Sequence, residues 1–378
     1  MKATTPRKSR HVVIELAQIG ELARAVIASG HALVGPTRRD GAIVYDSITS
    51  FDELPIGWAD DQDAGTYRLH PDGDRLFAAT HGPHSWKKFL LPAVTPLWEV
   101  TRGKQGFTFA PSPKPTSLPL AFVGVRACDL AAIDRLDQIF LRGPYVDRAY
   151  QAVRETLLII AVNCTRAGGT CFCASMGTGP KASALFDLAM TEVSGGSAHH
   201  FVVDIGSERG ARLLSDVPHR DATAAEVEHA ERLIAEAATR MGRTLDTGGL
   251  REAIAGRREH PHWDRVAHRC LACGNCTMVC PTCFCSTTAD ETDLCGLCSA
   301  RRKMWDSCFT LEFSYIHGGA VRASVKSRYR QWLSHKLSAW VDQFGAFGCV
   351  GCGRCITWCP AQIDLTEEAK AVTGTPAR

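Results

Sequence analysis

The sequence predicts an α+β protein in two parts: a mixed α/β domain over residues 1–255 that contains a β-α-β unit, then a mostly helical, ferredoxin-like dicluster domain over residues 256–378. Three observations predict this. Residues 118–125 and 156–162 are apolar runs of strand length and residues 129–140 read as a helix, the pattern of a crossover joining two parallel strands. Near the C-terminus one cysteine pattern is written twice, Cys270-Leu-Ala-Cys273-Gly-Asn-Cys276-Thr-Met-Val-Cys280-Pro281 and Cys349-Val-Gly-Cys352-Gly-Arg-Cys355-Ile-Thr-Trp-Cys359-Pro360. At 378 residues the chain is also too long for one ordinary domain and about right for two.

The first ten residues are basic, but no apolar segment follows them, so no secretory leader is expected. Residues 12–34 place Leu16, Ile19, Leu22, Ala23, Val26 and Ile27 at helical spacing, and Gly35-Pro36 reads as the stop. Ala42-Ile-Val-Tyr45 reads as a short strand, and residues 101–117, rich in Gly, Lys and Pro, as a loop. In the crossover, Cys128 lies just beyond the first strand and Cys164 just beyond the second. Parallel strands bring those two ends to one sheet edge, where α/β proteins build their sites. Cys171-Phe-Cys173 follows in a Gly-rich loop, residues 167–180. Four thiols, Cys128, Cys164, Cys171 and Cys173, could therefore converge, enough for a third [4Fe–4S] cluster beside the two of the C-terminal part. The alternative is that they pack as free, buried cysteines or line a neighbouring cluster. Gly177-Thr-Gly-Pro-Lys181 lacks the Lys-Ser or Lys-Thr pair of a phosphate loop. Residues 223–241 read as a solvent-facing helix, and the domain boundary is set near residue 256. The histidines, His199-His200 included, show no metal-ligand spacing.

In the repeated run, three thiolates two residues apart can wrap one corner of a cube while amides of the tight loop point at its sulfurs. The fourth cysteine is too far around to close the same cube; in two-cluster ferredoxins it ligates the other cluster, and the Pro after it turns the chain. This assigns one [4Fe–4S] cluster to Cys270, Cys273, Cys276 and Cys359, and the second to Cys349, Cys352, Cys355 and Cys280. Zinc is the competing ligand, but its sites are usually paired Cys-x-x-Cys ribbons. Crossed ligation closes residues 281–348 into a long insert carrying Cys283-Phe-Cys285, Cys295-Gly-Leu-Cys298 and Cys308, for which the spacing assigns no role. Cluster binding is expected to be a large part of this domain's stability. Residues 277–279 and 356–358 are expected either to shield the clusters or simply to pack their loops.

A hydrophobic fraction of 45% and a charged fraction of 22% describe an ordinary globular protein. The formal net charge of +3 gives no support to nucleic-acid binding. Seventeen cysteines would mark a disulfide scaffold in a short secreted chain, but here their spacings are those of metal sites, so a reducing, cytoplasmic setting is expected. The longest clean apolar run, residues 157–162, is far below the roughly 20 residues of a membrane span.

Taken together, Phe122-Val-Gly-Val-Arg-Ala-Cys-Asp129, Asn163-Cys164, Gly168-Gly-Thr-Cys-Phe-Cys173, the run from Cys273 to Cys285, Trp305-Asp-Ser-Cys308 and the run from Phe347 to Cys355 resemble the β subunit of cytoplasmic sulfhydrogenases, which are NAD(P)-linked [NiFe] hydrogenases. The pattern is also similar to the electron-transfer subunit of anaerobic sulfite reductase. The resemblance covers most of residues 120–365. It implies an electron-transfer subunit lying between a flavin subunit that exchanges electrons with NAD(P) and the [NiFe] hydrogenase subunits, or a sirohaem sulfite reductase subunit in the alternative. A stand-alone iron–sulfur enzyme is a further alternative from a different class. The chain has no Gly-x-Gly-x-x-Gly fingerprint, so no flavin or nicotinamide is expected on it, and no acid–base residues are assigned because moving electrons requires no bond chemistry. The Cys295-x-x-Cys298 pair departs from the family pattern.

Overall fold

The computed structural model describes residues 11–111, 118–195 and 198–374; the basic first ten residues and residues 112–117 of the expected loop lie outside the described residues. Strand β1, His11–Glu15, leads into helix α1, Ile19–Ala28, then β2, Ala32–Arg39, and β3, Ala42–Ser47. The hairpin of β4, Trp58–Asp63, and β5, Thr66–Pro71, is followed by the one-turn α2, Lys87–Leu90, and by a second hairpin of β6, Val94–Gly103, and β7, Gly106–Pro111. The crossover comprises β8, Leu120–Val125, α3, Ala127–Phe140, α4, Arg148–Thr156, and β9, Leu158–Val162. Then come β10, Leu188–Gly195, β11, Ala198–Ile205, α5, Glu208–Leu214, β12, Arg220–Asp221, and α6, Ala224–Thr239. The second part begins with α7, Leu250–Gly256, α8, His262–Arg269, and α9, Asn275–Met278. Its insert carries β13, Ser286–Thr292, β14, Cys298–Trp305, β15, Tyr315–Ile316, β16, Gly319–Ala320, α10, Val325–Ser334, and α11, Trp340–Phe344; α12, Arg354–Thr357, and α13, Leu365–Thr373, close the fold.

Eight strands form one mixed sheet in the order β12-β1-β11-β10-β9-β8-β2-β3. The crossover makes β8 parallel to β9, and β8 is also parallel to β2. All five residues of β9 are buried, as expected for a parallel strand covered on both faces. Leu22 and Val26 of α1 with Leu213 and Leu214 of α5 cover one face. Leu130, Ile133 and Leu136 of α3 with Tyr150 of α4 cover the other. Each such side chain contributes about 1.5–3 kcal/mol by leaving water. The architecture is thus α+β, with the ends of β8 and β9 at one edge carrying Cys128 and Cys164.

Two local expectations are corrected. Residues 12–34 are not one helix: Val12, Val13 and Ile14, with their stiff β-branched side chains, pair with β11, and only Ile19–Ala28 is helical. Gly35-Pro36 lies inside β2 and stops nothing. The Leu33 carbonyl accepts from Ile48 N–H on the β3 side, so by alternation Pro36 faces the other way, where pairing with β8 has already ended at Val34. The missing N–H of Pro36 therefore breaks no ladder bond. Residues 101–111 are likewise not a loop but parts of β6 and β7, in a second sheet ordered β13-β14-β6-β7.

That sheet interlocks the chain, because β14 of the insert pairs with β6 of the first part. The C-terminal helices pack around Trp263, Leu333, Leu337 and Ile356, and this core also takes in Phe172 from the first part. Among the described residues no helix is long and apolar enough to cross a membrane.

Candidate metal centres

The two cysteine runs adopt the same backbone. In each, the second residue after the first cysteine is left-handed (Ala272, φ 52°; Gly351, φ 64°), as is the fourth (Gly274, φ 74°; Gly353, φ 76°), and a one-turn helix follows. The left-handed turn aims an amide at sulfur: Ala272 N–H donates to Cys270 Sγ and Gly351 N–H to Cys349 Sγ, each at 3.4 Å. Ala272 accepts this conformation at a cost of roughly 1–2 kcal/mol that glycine avoids.

Cys270, Cys273, Cys276 and Cys359 line one depression, walled by Phe309, Tyr329 and Trp332, with Cys355 at its inner side. Ile363 N–H donates to Cys359 Sγ at 3.4 Å. Thiol sulfurs, amide donors and an aromatic wall are the donor set that a [4Fe–4S] cube requires. Cys273 is exposed, whereas Cys280, Cys349 and Cys352 are buried. Burial pushes the Cys349 thiol up to about 12, against the Gly351 amide and Lys336, while Cys352 and Cys280 push it further. Cys355 is likewise raised by burial and by Cys349, Cys352 and Cys280. Cys280 of the first run thus stands among the thiols of the second, and Cys359 among those of the first. Of the expected shielding residues, Thr277, Val279, Ile356 and Thr357 are buried, and Met278 and Trp358 partly so.

The N-terminal thiols also come together. Cys128 sits in the first turn of α3, Cys164 follows β9, and Cys171 and Cys173 lie on the loop beyond. Burial raises Cys171 to about 12, with Cys164 adding to it. Cys173 is pushed up by burial, then by Cys171, Cys164 and Cys352; Cys128 by burial, then by Asp129, Cys173 and Cys352. Four thiols held this far from ionisation are costly to the protein until a metal takes their protons' place. The set abuts the second run: Phe172 N–H donates to Gly351 C=O at 2.8 Å, and the hydroxyls of Thr170 and Thr357 are 2.7 Å apart. A Cβ on Gly353 would lie 2.4 Å from Thr170 O. Gly353→Ala is therefore expected to destabilise the holoprotein by more than the roughly 1–2 kcal/mol of a left-handed alanine. An unchanged urea midpoint would show that the two segments do not press together there.

Sequence reasoning missed the charged frame around these thiols. Arg354, inside the second run, makes a double ion pair with Asp129 of α3 (2.9 and 3.2 Å), both residues being 1% exposed. The guanidinium also donates to Tyr45 Oη at 3.3 Å and to His81 Nδ1 at 3.1 Å. Burial, with Arg354 and Arg126 nearby, pushes the His81 imidazole well below its usual range, so the ring is neutral. With Nδ1 accepting, Nε2 carries the proton and donates to Cys128 Sγ at 3.2 Å. His81, Cys128 and Asp129 bring three ligand-type atoms within 4.8 Å, but Arg354 already neutralises that carboxylate and no separate cation is needed. Arg126 Nη1 reaches Cys164 Sγ at 3.8 Å. The only hint in the sequence was charge beside cysteine, in Arg126-Ala-Cys128-Asp129 and Arg354-Cys355.

Comparison with known proteins agrees with this geometry. Residues 269–363 match the family model of the 4Fe-4S dicluster domain, so the C-terminal part is an iron–sulfur, electron-carrying module. No solved structure matches the chain. The chain is 31% identical over 334 residues to sulfhydrogenase 2 subunit beta of Pyrococcus furiosus, covering 87% of this chain and 89% of the relative. It belongs to the sulfhydrogenase β-subunit family.

Proposed function

We propose that this chain is the electron relay of a cytoplasmic, sulfhydrogenase-like complex, passing electrons between a [NiFe] hydrogenase module and a flavin- and NAD(P)-binding subunit. One [4Fe–4S] cluster is held by Cys270, Cys273, Cys276 and Cys359, the second by Cys349, Cys352, Cys355 and Cys280, and a third by Cys128, Cys164, Cys171 and Cys173. When bound, such clusters supply reversible one-electron storage. The chain's own residues bind them and keep water away: Phe309, Tyr329 and Trp332 wall the first site, and the Thr170–Thr357 contact seals the second against the third.

The observation that carries this reading is the continuity of the thiols. Cys355 borders the first depression, and Cys352 packs with Cys128 and Cys173, so each set touches the next. The exposed Cys273, beside the 66% exposed Leu271, gives this series a surface end. No substrate chemistry is assigned to the chain.

The test is metal and sulfide content of the anaerobically purified native complex, with its subunits identified by mass spectrometry. A nickel-containing partner, with at least about twelve irons and as many sulfides on this chain, is the expected result. A sirohaem partner would replace the hydrogenase reading with that of a sulfite reductase. A chain without iron would end the relay reading altogether.

A further inference from the structure

The insert repeats a string of the first part. Thr170-Cys-Phe-Cys173 and Thr282-Cys-Phe-Cys285 are identical, and only the first has so far been given a role. Each cysteine run packs a left-handed glycine against a residue that is followed by a further cysteine. Gly353 of the second cysteine run abuts Thr170, the residue that opens the first string. The equivalent Gly274 of the first run abuts Ser307, a hypothetical Cβ lying 3.1 Å from its Oγ, and Ser307 is followed by Cys308. After burial, the neighbour that most raises the Cys276 thiol is Cys308. Cys285 and Cys308 open onto one cavity of about 350 Å³, shared with Phe313, Arg322, Gln331 and His335. Cys283 stands next to Cys280, which together with burial pushes its thiol well above the usual range.

Two buried lysines stand beside these thiols. Lys87 and Lys336 are each 3% exposed. Lys336 Nζ donates to Cys280 Sγ at 3.2 Å and to Thr282 Oγ1 at 3.0 Å. Lys87 Nζ is 3.4 Å from the carbonyls of Thr277 and Met278 and 4.0 Å from the Trp305 ring centroid. Among the described residues neither lysine has an ion pair with a carboxylate. The groups available are sulfurs: Lys336 acts on Cys280, Cys283, Cys285 and Cys308, and Lys87 on Cys283 and Cys285. Thiols grouped beside buried lysines are the donors and the positive surroundings that an anionic iron–sulfur cluster requires. Lys336 is presented from the π-turn His335–Ala339 between α10 and α11, a backbone irregularity of the kind found at functional sites.

We propose that Cys283, Cys285 and Cys308 hold an additional iron–sulfur cluster, bound by three thiolates and with its remaining iron facing the cavity of Arg322, Gln331 and His335. The site adjoins both ferredoxin runs, at Cys276 through Cys308 and at Cys280 through Cys283. It goes beyond the relay reading and shares with it only the premise that this chain carries iron and sulfide.

The test compares iron and sulfide in the full-length chain, purified anaerobically with its partners, for the unchanged protein, Cys285→Ser and Cys308→Ser. Each substitution is expected to remove about four irons while the signals lost in Cys270→Ser and Cys349→Ser chains remain. An unchanged iron count, or loss of zinc in place of iron, overturns the proposal. A chain lacking iron altogether would instead count against the relay reading. Should the variants fail to accumulate, thiol alkylation of the unchanged protein decides. Cys285 and Cys308 should resist labelling until iron is stripped, while the exposed Cys295 labels at once; labelling of Cys285 and Cys308 in the iron-loaded protein overturns the proposal.

Discussion

Cys280→Ser is expected to abolish the cluster of the distant run and spare the one beside it. Cys280 lies four residues after Cys276, yet it acts on Cys349, Cys352 and Cys355 of the distant run. The substitution should therefore lower iron by about four per chain, remove the spectroscopic signal that Cys349→Ser removes, and leave the one that Cys270→Ser removes. Electron transfer through the chain should fall with it, since the lost cluster is the middle member of the series. Low-temperature EPR of the three reduced variants separates the cases, and selective loss of the Cys270 signal in Cys280→Ser would refute the crossed arrangement. The substitution also strips Lys336 of its nearest sulfur, 3.2 Å away, so a weakened fold is expected alongside the missing cluster.

Arg354→Met is expected to cost about 3–5 kcal/mol, because it leaves the Asp129 carboxylate buried without its counter-charge. That is a large part of the 5–15 kcal/mol that typically separates folded from unfolded domains. Replacing both partners, Arg354→Met with Asp129→Leu, should recover much of the loss, since an apolar pair leaves nothing unpaired. Urea midpoints of the iron-loaded chains measure both effects. If the single and double variants were equally unstable, the pair would not be the source of the loss. The consequence reaches the metal sites because Arg354 belongs to the second run while Asp129 follows Cys128, so one ion pair sets the spacing of two thiol groups.

The parts legible in the sequence are those whose chemistry is local. Cys270 to Cys280 and Cys349 to Cys359 announce themselves because a cube dictates the spacing of its ligands. The crossover was readable because β8 and β9 are buried on both faces and leave unbroken apolar runs. What escaped is set by distant partners. The end of β6 and all of β7 look like a loop from the Gly, Lys and Pro content of residues 101–117 until β14, far along the chain, pairs with β6. Gly35-Pro36 imitates a helix stop because the sequence does not reveal that Pro36 faces a side where pairing has ended. His81, Asp129 and Arg354 come from three remote segments, and Lys87 and Lys336 belong to a residue type that almost always stays in water. Cys283, Cys285 and Cys308 were visible as cysteines, but their grouping depends on how the insert folds back.

The pairing of β14 with β6 also has a consequence for how the chain is made. As the N-terminal part leaves the ribosome its large sheet can form, but β6 must wait with an open edge until the insert has been synthesised. In the proposed crossed arrangement the first cluster lacks a ligand for longer still, because Cys359 lies beyond the whole insert. Contacts this remote in sequence close slowly, so in that arrangement the first cluster is completed only after the insert has folded back. Until then the waiting strand is the place where a chaperone would have most reason to hold the polypeptide.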